Sequence, residues 1–174
     1  MYYVRKLSKI SSLNKIKYTD KTVVPDEVSA DLLKEFNTHD NTLSFWQCEN
    51  LTDINETLKA IIFSGNKIEN LQFIVFNDND FTNYHIGITP CDGKTGYRNF
   101  EKKHIDIINL TYKKIGSLLL LLKNISEQSN FLPYKDRNEI KNYIKEAYTQ
   151  NLVDEQKLNQ DLLNDIKKYQ LSNQ

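Results

Sequence analysis

Leu71-Gln72-Phe73-Ile74-Val75-Phe76 is a near-continuous apolar run of β-forming residues, and its reading decides the fold. A run without a polar face belongs to a central strand covered on both sides. It stops at Asn77-Asp78-Asn79-Asp80, whose composition predicts a turn. Tyr84 to Thr89 then returns as another strand, read as an antiparallel partner of the first.

Upstream of this pair, Asp53-Ile54-Asn55-Glu56 resembles a capping box. The helix behind it places Ile54, Leu58, Ile61 and Ile62 on one face, and Gly65 supplies its stop. Thr42 to Cys48 and Tyr2 to Leu7 carry the aromatic and alternating patterns of strands. Between them, Ser8 to Asp20 reads as loop, Pro25 holds Val23-Val24 away from helix, and Ser29 to Phe36 fits a short helix. Downstream, the period changes at about Asn99. Ile105, Ile108, Tyr112, Ile115, Leu119 and Leu122 share a helical face. Pro133 then opens a helix with Ile140, Tyr143, Ile144, Ala147 and Tyr148 inward, and Asp154 is placed to cap a last one with Leu158, Leu162, Ile166 and Tyr169. This order predicts an α+β fold: a small, mainly antiparallel sheet packed by helices, with a C-terminal layer of three helices. One domain is expected over 1–174, with a mixed strand and helix half at 1–92 and a helical half at 97–174.

Composition agrees with a globular chain. Of 174 residues, 39% are hydrophobic and 26% charged, a balance that leaves enough apolar surface for a core. Only two cysteines occur, Cys48 and Cys91, which fits a reducing, cytoplasmic setting better than a disulfide framework. The first residues carry charge but no apolar stretch behind it, so no signal peptide is expected. The longest apolar run, Leu118 to Leu122, is far short of the ~20 residues that span a membrane. Lys, Asn, Ile and Tyr are favoured, residues of AT-rich codons that suggest a low-GC bacterium or its phage.

Net charge is zero, yet the charges come in blocks. Residues 1–21 hold six basic groups and one acidic, 22–92 three basic and twelve acidic, and 93–123 seven basic and two acidic. Separated in space, such blocks would steer a charged partner; interleaved, they would cancel.

Several stretches invite a chemical reading. Gly87-Ile88-Thr89-Pro90-Cys91-Asp92-Gly93-Lys94-Thr95 resembles a phosphate-binding loop, but five residues separate its glycines where that loop has four. The extra residue spoils the convergence of backbone N–H groups on one phosphate, so a glycine turn between elements is expected instead. His39, His85 and His104 lie in no metal-binding spacing. His85, His104 and Asp106 are the weak candidates for acid–base catalysis: on a helix His104 and Asp106 would face apart, outside one they could point together. Cys91, beside Asp92 and without a neighbouring histidine in sequence, reads as a loop thiol, and Cys48 as a core residue. Asp78 and Asp80 are turn carboxylates without the rest of a calcium loop. No metal ligand set and no cofactor are expected.

Arg5, Lys6, Lys94, Arg98, Lys102 and Lys103 are the cations available to phosphate or to an acidic partner, and Trp46 and Tyr97 the aromatic residues that could stack or anchor. With no catalytic constellation legible, the first expectation is a non-catalytic interaction protein of a bacterial or phage cytoplasm, such as an immunity, antitoxin-like or adaptor subunit of a defence or mobile-element system. Its partner would be another protein or a second copy of the chain. The alternatives are a small phosphate-substrate enzyme, a nuclease or transferase using His85 or His104, and a nucleic-acid-binding protein using the basic segments.

Overall fold

The computed structural model describes residues 1–7, 38, 41–128 and 133–171. Its strands are β1 (Tyr2–Leu7), β2 (Leu43–Cys48), β3 (Leu71–Asn77), β4 (Ile88–Pro90), β5 (His104–Ile107) and β6 (Tyr134–Lys135). They form one six-stranded sheet in the order β4-β5-β2-β1-β3-β6, antiparallel at every pairing. Its helices are α1 (Ile54–Phe63), α2 (Asp78–Asn83), α3 (Tyr112–Ser126), α4 (Arg137–Thr149) and α5 (Gln160–Leu171). This is an α+β fold, as the residue pattern predicts.

Strand alternation sorts the side chains into two cores, one on each face of the sheet. Tyr3 and Leu7 of β1, Leu43 and Phe45 of β2, Ile74 and Phe76 of β3, and Ile105 and Ile107 of β5 join Phe81 of α2 and Leu118, Leu119, Leu121 and Leu122 of α3. Val4, Trp46, Cys48, Phe73 and Val75 point the other way and pack with α1, α4 and α5. The three C-terminal helices therefore divide between the faces, α3 on one and α4 with α5 on the other.

α1 is buried on nearly every side, and this includes Lys59. A buried ammonium needs partners. Its Nζ lies 2.8 Å from Glu56 Oε1 and 3.3 Å from Glu146 Oε2 of α4. The Tyr97 hydroxyl donates to the other oxygen of Glu56. The segment between β4 and β5 is thereby tied to α1, and two more bonds hold it there: Thr95 Oγ1 donates to Ala60 O at 2.9 Å, and Gly96 N to Phe63 O at 3.1 Å.

Several local expectations differ from what forms. Asn77-Asp78-Asn79-Asp80 starts α2, with Asn77 and Asp80 bonding each other's backbone N–H in a reciprocal cap. The returning strand is shorter than Tyr84 to Thr89: His85 sits in a left-handed turn at φ 53°, and only Ile88–Pro90 is extended. That strand pairs with β5 at the far edge of the sheet, not with β3. The helix expected from about Asn99 begins at Tyr112, because His104-Ile105-Asp106-Ile107 alternates polar and apolar residues and forms β5. The segment 97–174 is accordingly not all helical, since it contributes β5 and β6. Asp53 makes no side-chain cap; a 3-10 turn at Leu51–Asp53 leads into α1 instead. Asp136 caps α4, two residues past the β6 start, and Asp154 caps a 3-10 turn ahead of α5. The readings placed on Ser8 to Asp20, Val23 to Pro25, Ser29 to Phe36 and His39 lie outside the described residues.

Candidate metal centre

The register of β4, β5 and β2 brings three polar side chains together on one face of the sheet. β5 pairs Asp106 with Thr89 and with Ser44, and His104 with Trp46. Cys91 follows β4 directly and continues its pairing, its N–H donating to His104 O at 3.1 Å. His104 and Asp106, two apart on a strand, share a face, and Cys91 lies across from His104 on that same face. Cys91 Sγ is 3.0 Å from His104 Nδ1. One donor atom from each of Cys91, His104 and Asp106 lies within 4.8 Å of the other two, and all three residues are half-buried.

Supporting contacts hold this group in place. Ser44 Oγ donates to Asp106 Oδ1 at 2.9 Å. The Trp46 ring meets His104 edge-on, with centroids 4.9 Å apart. Over both rings runs Gly93, whose N–H donates to Glu101 O at 2.9 Å. A Cβ at Gly93 would stand 2.5 Å from Trp46 Cη2 and 2.7 Å from His104 Cβ, so only glycine lets the backbone approach this closely.

The electrostatics distinguish what the group can do. Burial, the Asp106 carboxylate at the thiol and the charge of Asp92 push Cys91 up to about 12. Burial lowers His104, and the charge of Asp106 opposes this in part. A nucleophilic cysteine needs the reverse, a cationic surrounding that favours the thiolate. Asp106 hydrogen-bonds the thiol, while it acts on the imidazole through its charge. A cation between the three groups changes the balance: it stabilises the thiolate, accepts the imidazole nitrogen and pairs with the carboxylate. Sulfur, nitrogen and oxygen donors in this number suit a zinc-type ion. Bond lengths of about 2.3 Å to sulfur and 2.0 Å to nitrogen put two tetrahedral donors roughly 3.5 Å apart. Accommodating such an ion thus requires the Cys91–His104 pair to open by about half an ångström.

His104 and Asp106 are the two sequence candidates that the fold unites. Cys91, read as an isolated loop thiol, is the donor that sequence spacing hides, because strand pairing and not adjacency makes it a neighbour. His85 is not in this cluster; it lies in the turn after α2, with its N–H bonded to Thr82 O. The turn carboxylates are otherwise engaged, Asp78 accepting from the Tyr3 hydroxyl at 2.6 Å and Asp80 from the Asn77 N–H at 2.7 Å. Trp46 and Tyr97 are core residues, 7% and 1% exposed, and neither ring is open for stacking by a partner. Arg5 donates to Ser44 O and lies over the Phe45 ring. Lys6 pairs with Glu69, Lys102 with Asp92 and Lys103 with Glu49, while Arg98 Nε donates to Val153 O. Lys94 is exposed on the segment over the site. At these pairs the basic and acidic blocks of the sequence interleave. Among the described residues no helix is long and apolar enough to cross a membrane. No protein family, curated protein or solved structure matches the chain.

Proposed function

We propose that this protein binds one divalent ion of the zinc type through Cys91 Sγ, His104 and Asp106, as a metal-dependent centre accessible to solvent. The observation that carries this reading is the clustering of a thiol, an imidazole and a carboxylate within 4.8 Å on adjacent strands. Three protein donors, fewer than the four of a closed structural zinc site, are the number found in reactive zinc sites. The chemistry such an ion supplies is a polarised substrate oxygen or an activated water. Of the functions expected from the sequence, this favours the small enzyme acting through His104 and Asp106. The interaction-protein reading rests on segregated charge, on the aromatic residues and on the want of a catalytic constellation in the sequence, and the ion pairs of Lys6, Lys102 and Lys103 weaken the first of these.

Cobalt(II) provides the test, since it occupies zinc sites and reports thiolate ligation by its near-ultraviolet charge-transfer absorption. Reduced, metal-stripped protein should take up one equivalent of cobalt with that absorption, and zinc should displace it. Cys91→Ser should abolish the band, while Cys48→Ser should keep it, because Cys48 is buried, outside the three-donor cluster, and its Sγ is bonded to Asn50 O. Zinc at about one hundred times its dissociation constant should raise unfolding free energy by about 2.7 kcal/mol. A protein that shows no cobalt–thiolate band and no zinc-dependent rise in melting temperature refutes the reading.

A further inference from the structure

We infer that Ser44 is a positioning residue of this centre, which holds the Asp106 carboxylate as a one-oxygen donor and so sets the preference for four-coordinate ions; the inference rests on the metal reading above. Ser44 stands opposite Asp106 in the β2–β5 register, and its Oγ–H reaches Asp106 Oδ1 at 2.9 Å. Ser44 is itself fixed. β2 lies between β5 and β1 in the sheet, and the Ser44 carbonyl accepts from Arg5 Nη1 at 2.8 Å.

A carboxylate free to rotate offers an ion either one oxygen or both. Two-oxygen ligation and high coordination numbers are what calcium takes, at six to eight oxygens, and magnesium requires an octahedron of oxygens. With one lone pair of Oδ1 engaged by Ser44, ligation through a single oxygen is favoured, and this completes a compact set with sulfur and nitrogen. Hydrogen-bond partners of metal ligands act in this way generally: they fix orientation, and their loss costs about 10–100-fold in affinity. Ser44 is exposed, so nothing about the core requires a hydroxyl there.

Ser44→Ala and Ser44→Thr, titrated with cobalt(II) and then with zinc, test the inference. Ser44→Ala should bind cobalt about 10–100-fold more weakly. Its visible d–d absorption should lose intensity, the mark of a change from four donors to more. Ser44→Thr, which keeps the hydroxyl and suits a strand, should restore both affinity and spectrum. A surface substitution of this kind changes stability by no more than about 0.5 kcal/mol, so the metal-stripped variants should melt with the wild type. Wild-type affinity and spectrum in Ser44→Ala would overturn the inference, as would a loss that Ser44→Thr does not repair. Failure of the metal reading itself is a separate result, visible as the absence of cobalt uptake by the wild-type protein.

Discussion

Gly93→Ala tests whether the segment between β4 and β5 is built as tightly against the site as its geometry implies. The added methyl would lie 2.5 Å from Trp46 Cη2, 2.7 Å from His104 Cβ and 2.9 Å from His104 Cγ. Carbon atoms rest at about 3.5–4.0 Å, so each contact is roughly 1 Å too short. None of the three atoms is the end of a flexible chain. His104 Cβ is fixed by β5, and the Trp46 ring is inside the core. The segment must lift, against the Gly93–Glu101 and Cys91–His104 backbone bonds. Overpacking of this kind costs about 1–3 kcal/mol. For a chain of this size each kcal/mol lowers the melting temperature by about 2–4 °C, which gives a fall of roughly 2–12 °C. Because Cys91 is two residues away, cobalt affinity should also drop by about tenfold, comparable to losing one supporting contact of a ligand. Thermal unfolding by circular dichroism and a cobalt titration read the two effects. Gly87→Ala is the control, since its methyl would meet only Ile108 Cγ1, at an ordinary 3.7 Å. Should Gly93→Ala melt with the wild type and bind cobalt as well, the close packing of this segment on His104 would be refuted.

Two further perturbations examine the frame around the site. Phe45 is fully buried and meets Phe76 and Phe81 edge-on, so Phe45→Ala should cost about 3–5 kcal/mol in chemical denaturation, and a loss below about 1 kcal/mol would contradict a core at this position. The Lys59 network predicts an acid limb: burial alone would raise Glu56, but its bonds to Lys59 and Tyr97 and the charge of Lys59 hold it below the ordinary 4.5. A carboxylate depressed in the folded state stabilises above its unfolded value and loses that contribution as pH falls through the folded one. Wild type should therefore exceed Glu56→Gln in stability at neutral pH and converge with it as pH drops below about 4.5, as measured by urea midpoints; parallel curves would rule the network out as the cause.

The strands β1, β2 and β3 are legible in sequence because their apolar content exceeds anything a short helix would bury, and their bounds follow the residue pattern closely. β5 is also written there, in the alternation of His104-Ile105-Asp106-Ile107, but the longer helical period of Ile108 to Leu122 overlaps it and absorbs it. Helix caps are less legible. Asn, Asp and Ser occur throughout the chain, and which of them caps a helix depends on where the preceding backbone is extended, as at Asn77 and Asp136. The site shows the same limit more sharply. His104 and Asp106 are visible as a pair once β5 is assigned. Cys91 joins them only through the pairing of β4 with β5, a register that no local pattern specifies, because β4 has three residues and ends at a proline.

That short, proline-ended β4 has a consequence for how molecules of this protein meet. It forms one border of the sheet, and the two-residue β6 forms the other. A border strand with free N–H and C=O groups recruits strands from neighbouring chains, the first step of sheet-to-sheet aggregation. Pro90 has no N–H to offer, and β6 is too brief to template a new ladder. Among the described residues, crowded copies of the chain therefore meet only a three-residue and a two-residue border strand, each too short to extend a ladder far.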